Sequence, residues 1–345
     1  MLRRLISTSL VLVLFLSLLA CGQSLAQAPA EKTFNLKLAG IKNDEDPNSK
    51  GMELFAEIVN KESNGTITVK TYTNSVLGNL NDLLSGMIDG TVEMMSNTIS
   101  CYAWLTGAGA REFAIVSAPF FWKDNKELQA FLDSPDAQKW IEEAAASTGV
   151  RVLIVNGELI PRQLSANRAI RNADDFEGLK VRTAESVLVM KLMAKLGATP
   201  IVIPFADLYM ALKTGVADAQ ENNFFTMKSM SFYEVQSHFM KTDYSRDVSA
   251  MFISEQIWQQ MSDNQKKIMK DAAKAATDLE AKIIADTTEE VMAFLSTKMT
   301  YIEPDIASIQ EKLGTDIYRE LDDLGTIWPT GTLDVALKFK ETYKD

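Results

Sequence analysis

The chain of 345 residues contains one histidine, His238, so a Ser-His-Asp or Cys-His nucleophile would have to use it, and a metal site would have to be built from carboxylates alone. His238 lies in Glu234-Val235-Gln236-Ser237-His238-Phe239-Met240, a mixed stretch between a helix and a strand, where a surface or boundary histidine is expected. No Gly-rich phosphate loop, HExxH, CxxC or EF-hand loop occurs. What remains is binding chemistry at strand ends. Asn97 and Thr98 follow an expected strand, Val92 to Met95, at the carboxyl edge where open α/β sheets place ligands; plain loop chemistry is the alternative reading. Lys42, Asn43 and Asp44 follow the first strand in the same topological position. They are the weaker set, because Asp44, Glu45 and Asp46 would repel an anion unless turned away or offset by a cationic group on the ligand. Trp104, Phe120, Phe121 and Trp122 could line a cleft, although aromatic clusters usually form core.

The elements that must position these residues are read from hydrophobic period. Phe34, Leu36 and Leu38 alternate as one face of a half-buried strand. Asp46-Pro47 then opens a helix with Met52, Phe55 and Val59 at helical spacing, and Asn64-Gly65 ends it. Ile67, Val69 and Thr71 make the next strand, and Leu80 to Ile88 the next helix. This βαβ series predicts a mainly parallel, right-handed sheet. The pattern helix, glycine, short strand, acid occurs twice, in Met87-Ile88-Asp89-Gly90-Thr91-Val92-Glu93 and in Leu212-Lys213-Thr214-Gly215-Val216-Ala217-Asp218, which suggests two similar α/β lobes. Ser262 to Gln265 reads as a capping box, and apolar positions from Ile268 to Met299 then continue the helical pattern with few interruptions. An unbroken helix of about 38 residues would approach 57 Å, longer than one lobe needs. Coiled-coil pairing is the rival reading, but alanine and threonine at several facing positions make a poor seam.

The leader and the composition place the protein. Arg3 and Arg4 precede an apolar run, Leu10 to Leu19, and then small residues, the form of a secretory signal peptide over residues 1–26. Cleavage after Ser24-Leu25-Ala26 competes with a lipobox reading of Leu18-Leu19-Ala20-Cys21, in which residues 1–20 are removed and Cys21 is lipidated. Either way only Cys101 remains as a free thiol, so no structural disulfide is expected. Loss of Arg3 and Arg4 takes the 35 basic residues to 33 against 46 acidic ones, and the formal charge from −11 to −13, which argues against nucleic acid or anionic lipid as partners. With 46% hydrophobic and 23% charged residues the chain is an ordinary globular one, long enough for two lobes.

Nearly all of the mature chain resembles a known family. The carrying residues are Arg162-Gln163 with Ser165-Ala166-Asn167-Arg168, Asp174 to Arg182, Leu196-Gly197-Ala198-Thr199-Pro200, Phe205 to Gly215, Asp218 to Asn222 and Phe232 to Gln236, with Leu77-Gly78 and Ala118-Pro119-Phe120 upstream. In order and spacing they resemble the solute-binding proteins of tripartite ATP-independent periplasmic (TRAP) transporters, the dicarboxylate-type (DctP) family. The chain departs from that pattern at Ala219, where the family usually has Gly, and at Asn223, where it usually has Pro; the second change bears on the loop that presents Asn222.

The resemblance implies an α/β, two-lobed periplasmic-binding-protein-like fold around a ligand cleft, with a long C-terminal helix spanning both lobes. Residues 31–157 plus about 245–285 would form one lobe, and 158–244 plus about 286–345 the other. It implies that Arg182 pairs with a ligand carboxylate, for which a guanidinium offers two parallel bonds that lysine cannot match. Taken alone, Arg182 would be a solvated strand-end residue. Arg162 matches a pocket arginine of sialic-acid-binding relatives, although Pro161 precedes it and Glu158 to Ile160 look like an insertion; a crossover-strand arginine bonded to backbone carbonyls is the alternative. Asn222 corresponds to a pocket asparagine, or to an Asx-turn, and Phe205 to an aromatic against the ligand's carbon skeleton, or to core. The family's habits imply a periplasmic monomer that needs no cofactor, closes on a small carboxylate and delivers it to small and large TRAP membrane subunits. A sensor subunit docking on a receptor, and a periplasmic enzyme working with carboxylate pairs, are the alternatives.

Overall fold

The structure, a computed structural model, describes residues 31–156, 159–314 and 316–344. The expected leader, Cys21 and Glu158 lie outside these residues. Two sheets organise the chain. The first contains β1 (Phe34–Ala39), β2 (Ile67–Tyr72), β3 (Met94–Thr98), β4 (Val150–Val155) and β10 (Ser249–Ser254) in the order β2-β1-β3-β10-β4. The second contains β5 (Arg162–Ala166), β6 (Lys180–Thr183), β7 (Thr199–Val202), β8 (Ala219–Asn222), β9 (His238–Ser245) and β11 (Thr300–Ile302) in the order β11-β9-β5-β8-β6-β7.

Each sheet is parallel except for one strand. β10 runs antiparallel to both β3 and β4, and β5 antiparallel to both β8 and β9. The parallel expectation therefore holds for β1–β2, β1–β3, β6–β7 and β6–β8, and fails at the two strands that arrive from the other lobe. The chain crosses between sheets from β4 to β5 and again from β9 to β10, so β5 and β10 enter their new sheets in reverse. That reversal brings the first residues of β5 and β10 to the same edge as the last residues of the parallel strands.

Local chemistry accounts for the first elements as read. Asp46 caps the helix Pro47–Glu62, its side chain accepting from the Asn48 amide at 3.1 Å with Pro47 at the first turn. Asn64 and Gly65 follow with φ of 49° and 83°, a left-handed pair that turns the chain into β2. The strand expected at Val92 to Met95 runs instead over Met94–Thr98. The reason is the cap before it: the amides of Thr91 and Val92 both donate to the Gly86 carbonyl, at 2.8 and 3.1 Å, so these residues finish the helix Leu80–Asp89. Asn97 and Thr98 are thus in the strand, opposite Ala250 and Ser249 of β10, not in a loop after it.

The capping box at Ser262 and Gln265 starts a 36-residue helix, Asp263–Lys298, about 54 Å long. Its first half buries Met269, Ala272, Ala273 and Ala276 in a cluster with Met52 and Phe55 on the first sheet. Its second half buries Ile284, Val291 and Leu295 with Phe224 and Phe239 on the second. One helix thereby supports both sheets. At its C-terminal side the helix Thr332–Thr342 returns to the first half of the chain, with Phe339 5.4 Å from Phe131 and Lys340 Nζ 2.7 Å from Glu127.

The closest backbone approach in the first cluster is at Gly51, where a Cβ would stand 3.0 Å from the Ala276 carbonyl oxygen. Gly51→Val is expected to lower stability by about 1–3 kcal/mol through overpacking, read as a lower Tm; an unchanged Tm would contradict this close helix–helix contact.

Candidate functional site

The parallel strands β1, β3, β6 and β8 end, and β5 and β10 begin, around one cavity of about 400 Å³. Arg182, Arg162, Asn222, Phe205, Asn97 and Thr98, the six residues singled out from the sequence, all line it, together with Lys42. The two arginines differ in what they already hold.

Arg162 is committed to the protein. Its Nε donates to the Glu221 carboxylate, its Nη2 to the Glu221 carbonyl at 2.8 Å and to Asn222 Oδ1 at 3.2 Å. Burial opposes its charge, but Glu221 outweighs that and holds the guanidinium above its ordinary pKa. Tyr244 also donates to Glu221, at 2.7 Å, so this carboxylate is consumed inside the wall. Asn222 is spent as well: its oxygen faces Arg162 and its Nδ2 donates to Gln220 at 2.7 Å, which in turn donates to Ser165 at 2.7 Å.

Arg182 is different. It is 3% exposed, its Nε donates to the Ile203 carbonyl at 2.8 Å, and among the described residues no carboxylate pairs with it. Burial, opposed by Glu221 and reinforced by Arg162, pushes its pKa down to about 10. Its guanidinium carbon lies 6.0 Å from the centre of the Phe205 ring, and Lys42 Nζ lies 4.6 Å from the same centre. Burial likewise pushes Lys42 down to about 8, against Asp46 and with help from Arg162 and Arg182. Lys42 reaches across to donate to Thr226 Oγ1 at 2.9 Å. This end of the cavity has the charge and the donors to hold a carboxylate.

The first sheet supplies an acidic and hydroxylic wall. Glu280, from the middle of the long helix, accepts from Ser249 Oγ at 2.6 Å and from Asn48 Nδ2 at 3.4 Å, and Asn48 also donates to Ser96 at 2.9 Å. Asp247, between β9 and β10, accepts from the Ser100 hydroxyl and from the Ser100 and Val248 amides at 3.3 and 2.9 Å. Burial raises the pKa of both acids, Glu280 to about 7. Asn223, which stands where the resembling family has proline, caps the helix Phe224–Ser229 by accepting from Thr226 N at 2.9 Å. The helix start after Asn222 is kept by other means.

The sequence profile described as bacterial extracellular solute-binding protein, family 7 (DctP) matches residues 38–321. The chain belongs to this family. A solute-binding protein of Roseobacter denitrificans is 27% identical over 297 residues, covering 86% of this chain and 90% of that one. The C4-dicarboxylate-binding periplasmic protein of Rhodobacter capsulatus is 28% identical over 259 residues, covering 74% of this chain and 76% of that one. Among solved structures, a TRAP periplasmic solute binding protein from R. denitrificans with bound L-galactonate superposes with a TM-score of 0.77 at 24% identity, over 86% of this chain and 100% of that one. That likeness shows the shared two-lobed fold. The family is one of solute-binding receptors rather than enzymes.

In this solute-binding protein Lys42 was among the weaker candidates from sequence, Glu221 stood in the family-like stretch Asp218 to Asn222 without a role, and Glu280 and Asp247 were not singled out. Glu280 had a signal: it falls on the apolar stripe of the long helix, four residues from Ala276 and four from Ile284, where a charge needs a reason. Asp247 had none, because only the crossover between sheets brings it here. His238 sits at the first residue of β9, away from the cavity lining, bonded to the Ser237 hydroxyl at 2.8 Å.

Glu280 makes stability depend on pH. Its carboxyl titrates near 4.5 when unfolded and about 7 when folded, so the protonated form favours the fold and that contribution is lost as pH rises from about 4.5 through 7. Glu280→Gln is expected to melt like the wild type at pH 4.5 and higher than it at pH 8, by up to about 3 kcal/mol. A difference that does not change with pH would contradict the assignment.

Proposed function

We propose that this protein captures a small organic acid outside the cytoplasmic membrane and delivers it to the membrane subunits of a TRAP transporter. One observation carries the reading: Arg182, a buried guanidinium with no carboxylate partner among the described residues, lines from a strand end a cavity bounded by both sheets. A ligand carboxylate would complete it with two charge-assisted bonds. Family membership supports a receptor, and the names of relatives that bind a C4-dicarboxylate and L-galactonate support an acid as cargo.

Capture works by closure. Residues 31–157 with about 245–285 move as one lobe, and 158–244 with about 286–345 as the other, except that the final helix travels with the first lobe through Phe339 and Lys340. The crossovers from β4 to β5 and from β9 to β10, the long helix and the segment leading into the final helix link the two lobes covalently. In the closed arrangement Lys42 reaches Thr226, Asn43 Nδ2 donates to the Ser229 carbonyl at 2.6 Å, and Asn81 donates to Glu185. Closure also removes water, which strengthens each polar bond to the ligand.

Calorimetry with carboxylate ligands tests the reading. Arg182→Ala is expected to lose at least about 2–3 kcal/mol of binding, since a bound carboxylate would be left buried and unpaired. Arg182→Lys is expected to lose part of that, because an ammonium cannot bond both oxygens in parallel. Unchanged affinity in Arg182→Ala would overturn the role given to this residue.

A further inference from the structure

Resting on the carboxylate reading above, we infer that the ligand is a six-carbon monocarboxylate carrying a row of hydroxyl groups, a sugar acid, with its carboxylate on Arg182 and Lys42 and its hydroxyls on the wall formed by Glu280, Asp247 and Asn97. Family membership does not decide this, since the names of relatives include both a C4-dicarboxylate and a galactonate binder.

The cavity is polarised, and the polarity argues against a second carboxylate. Its cations gather at one end: Lys42 and Arg182 both lie against Phe205, and Arg162 beside them is already neutralised by Glu221. The opposite wall carries the acids Asp247 and Glu280, and among the described residues neither is held in an ion pair, although Lys42 and Arg162 lie near enough to act on them. A diacid anchored at Arg182 would bring its other carboxylate against like charge.

The same wall also argues against an ammonium group. A cation would satisfy the acids but only donates, whereas this wall needs an acceptor too: Asn97 Oδ1 is used by the Thr98 amide at 2.8 Å, and its Nδ2 is shielded from solvent with no acceptor. A hydroxyl both donates to a carboxylate and accepts from an amide. The hydroxyls of Ser249 and Ser100 are turned onto Glu280 and Asp247, which leaves their lone pairs as further acceptors. Size agrees. A cavity of about 400 Å³ lies in the range of small-molecule sites and has room for a six-carbon sugar acid.

The test is calorimetry on the unmodified protein at pH 7.5 with three sets of ligands: six-carbon aldonates and uronates of several configurations, succinate, and glutamate as an acid bearing an ammonium. The expected result is that a hydroxylated monoacid binds tightest, at least ten-fold more tightly than succinate or glutamate. If succinate or glutamate binds tightest, the sugar-acid assignment is overturned while the carboxylate reading stands. If no acid in any set binds, both are overturned.

Discussion

The cavity depends on one buried positive charge. Taking a guanidinium out of water is costly unless something compensates, and among the described residues Arg182 has a backbone carbonyl, an aromatic ring at 6.0 Å and no paired acid. Its lowered pKa is the signature of that expense. The neighbouring Arg162 shows what compensation looks like: Glu221, Asn222 and the backbone surround it, and Tyr244 holds Glu221 in turn. Two arginines at one edge therefore divide the work. Arg162 builds the wall, and Arg182 faces the cavity with no paired acid among the described residues.

Holding Arg182 in place requires the second sheet to be complete on both sides of it. β6 lies between β7 and β8, with Arg182 opposite Ile201 and Gln220, so the backbone that carries the guanidinium is fixed by two neighbours. The opposing wall is fixed by β3 and β10, whose antiparallel register places Ser249 against Thr98 and brings Glu280 of the long helix within reach of Ser249. Across the cavity the two walls are joined by polar contacts such as Lys42 to Thr226 and Asn43 to Ser229, of the kind worth little individually in water. Beside it one apolar cluster takes in residues from both halves, and the long helix, packed on both sheets, keeps the walls in register.

The acids on the first wall are the counterpart of Arg182. Burial raises the pKa of both, so they make the protein less stable as they ionise. A cavity cationic at one end and acidic and hydroxylic at the other discriminates by repulsion as well as by attraction.

What was legible in the sequence was local. The cap at Asp46, the capping box at Ser262 and Gln265, the alternation of Phe34, Leu36 and Leu38, and the length of the long helix depend on residues within a few positions of one another, and all of them appear in the fold. Arg182, Arg162, Asn222 and Phe205 came from the family resemblance, and Asn97 and Thr98 from the rule that places ligands at strand ends; the cavity gathers all six. Tertiary structure alone decided the rest. The reversal of β5 and β10 is a property of chain crossing between sheets, which no local period encodes. The bond of Asn222 to Arg162 and the arrival of Glu280 beside Ser249 and Asn48 join positions tens to hundreds of residues apart. Residue type sets what a side chain can bond to, but only the packed fold sets which partners remain for the ligand.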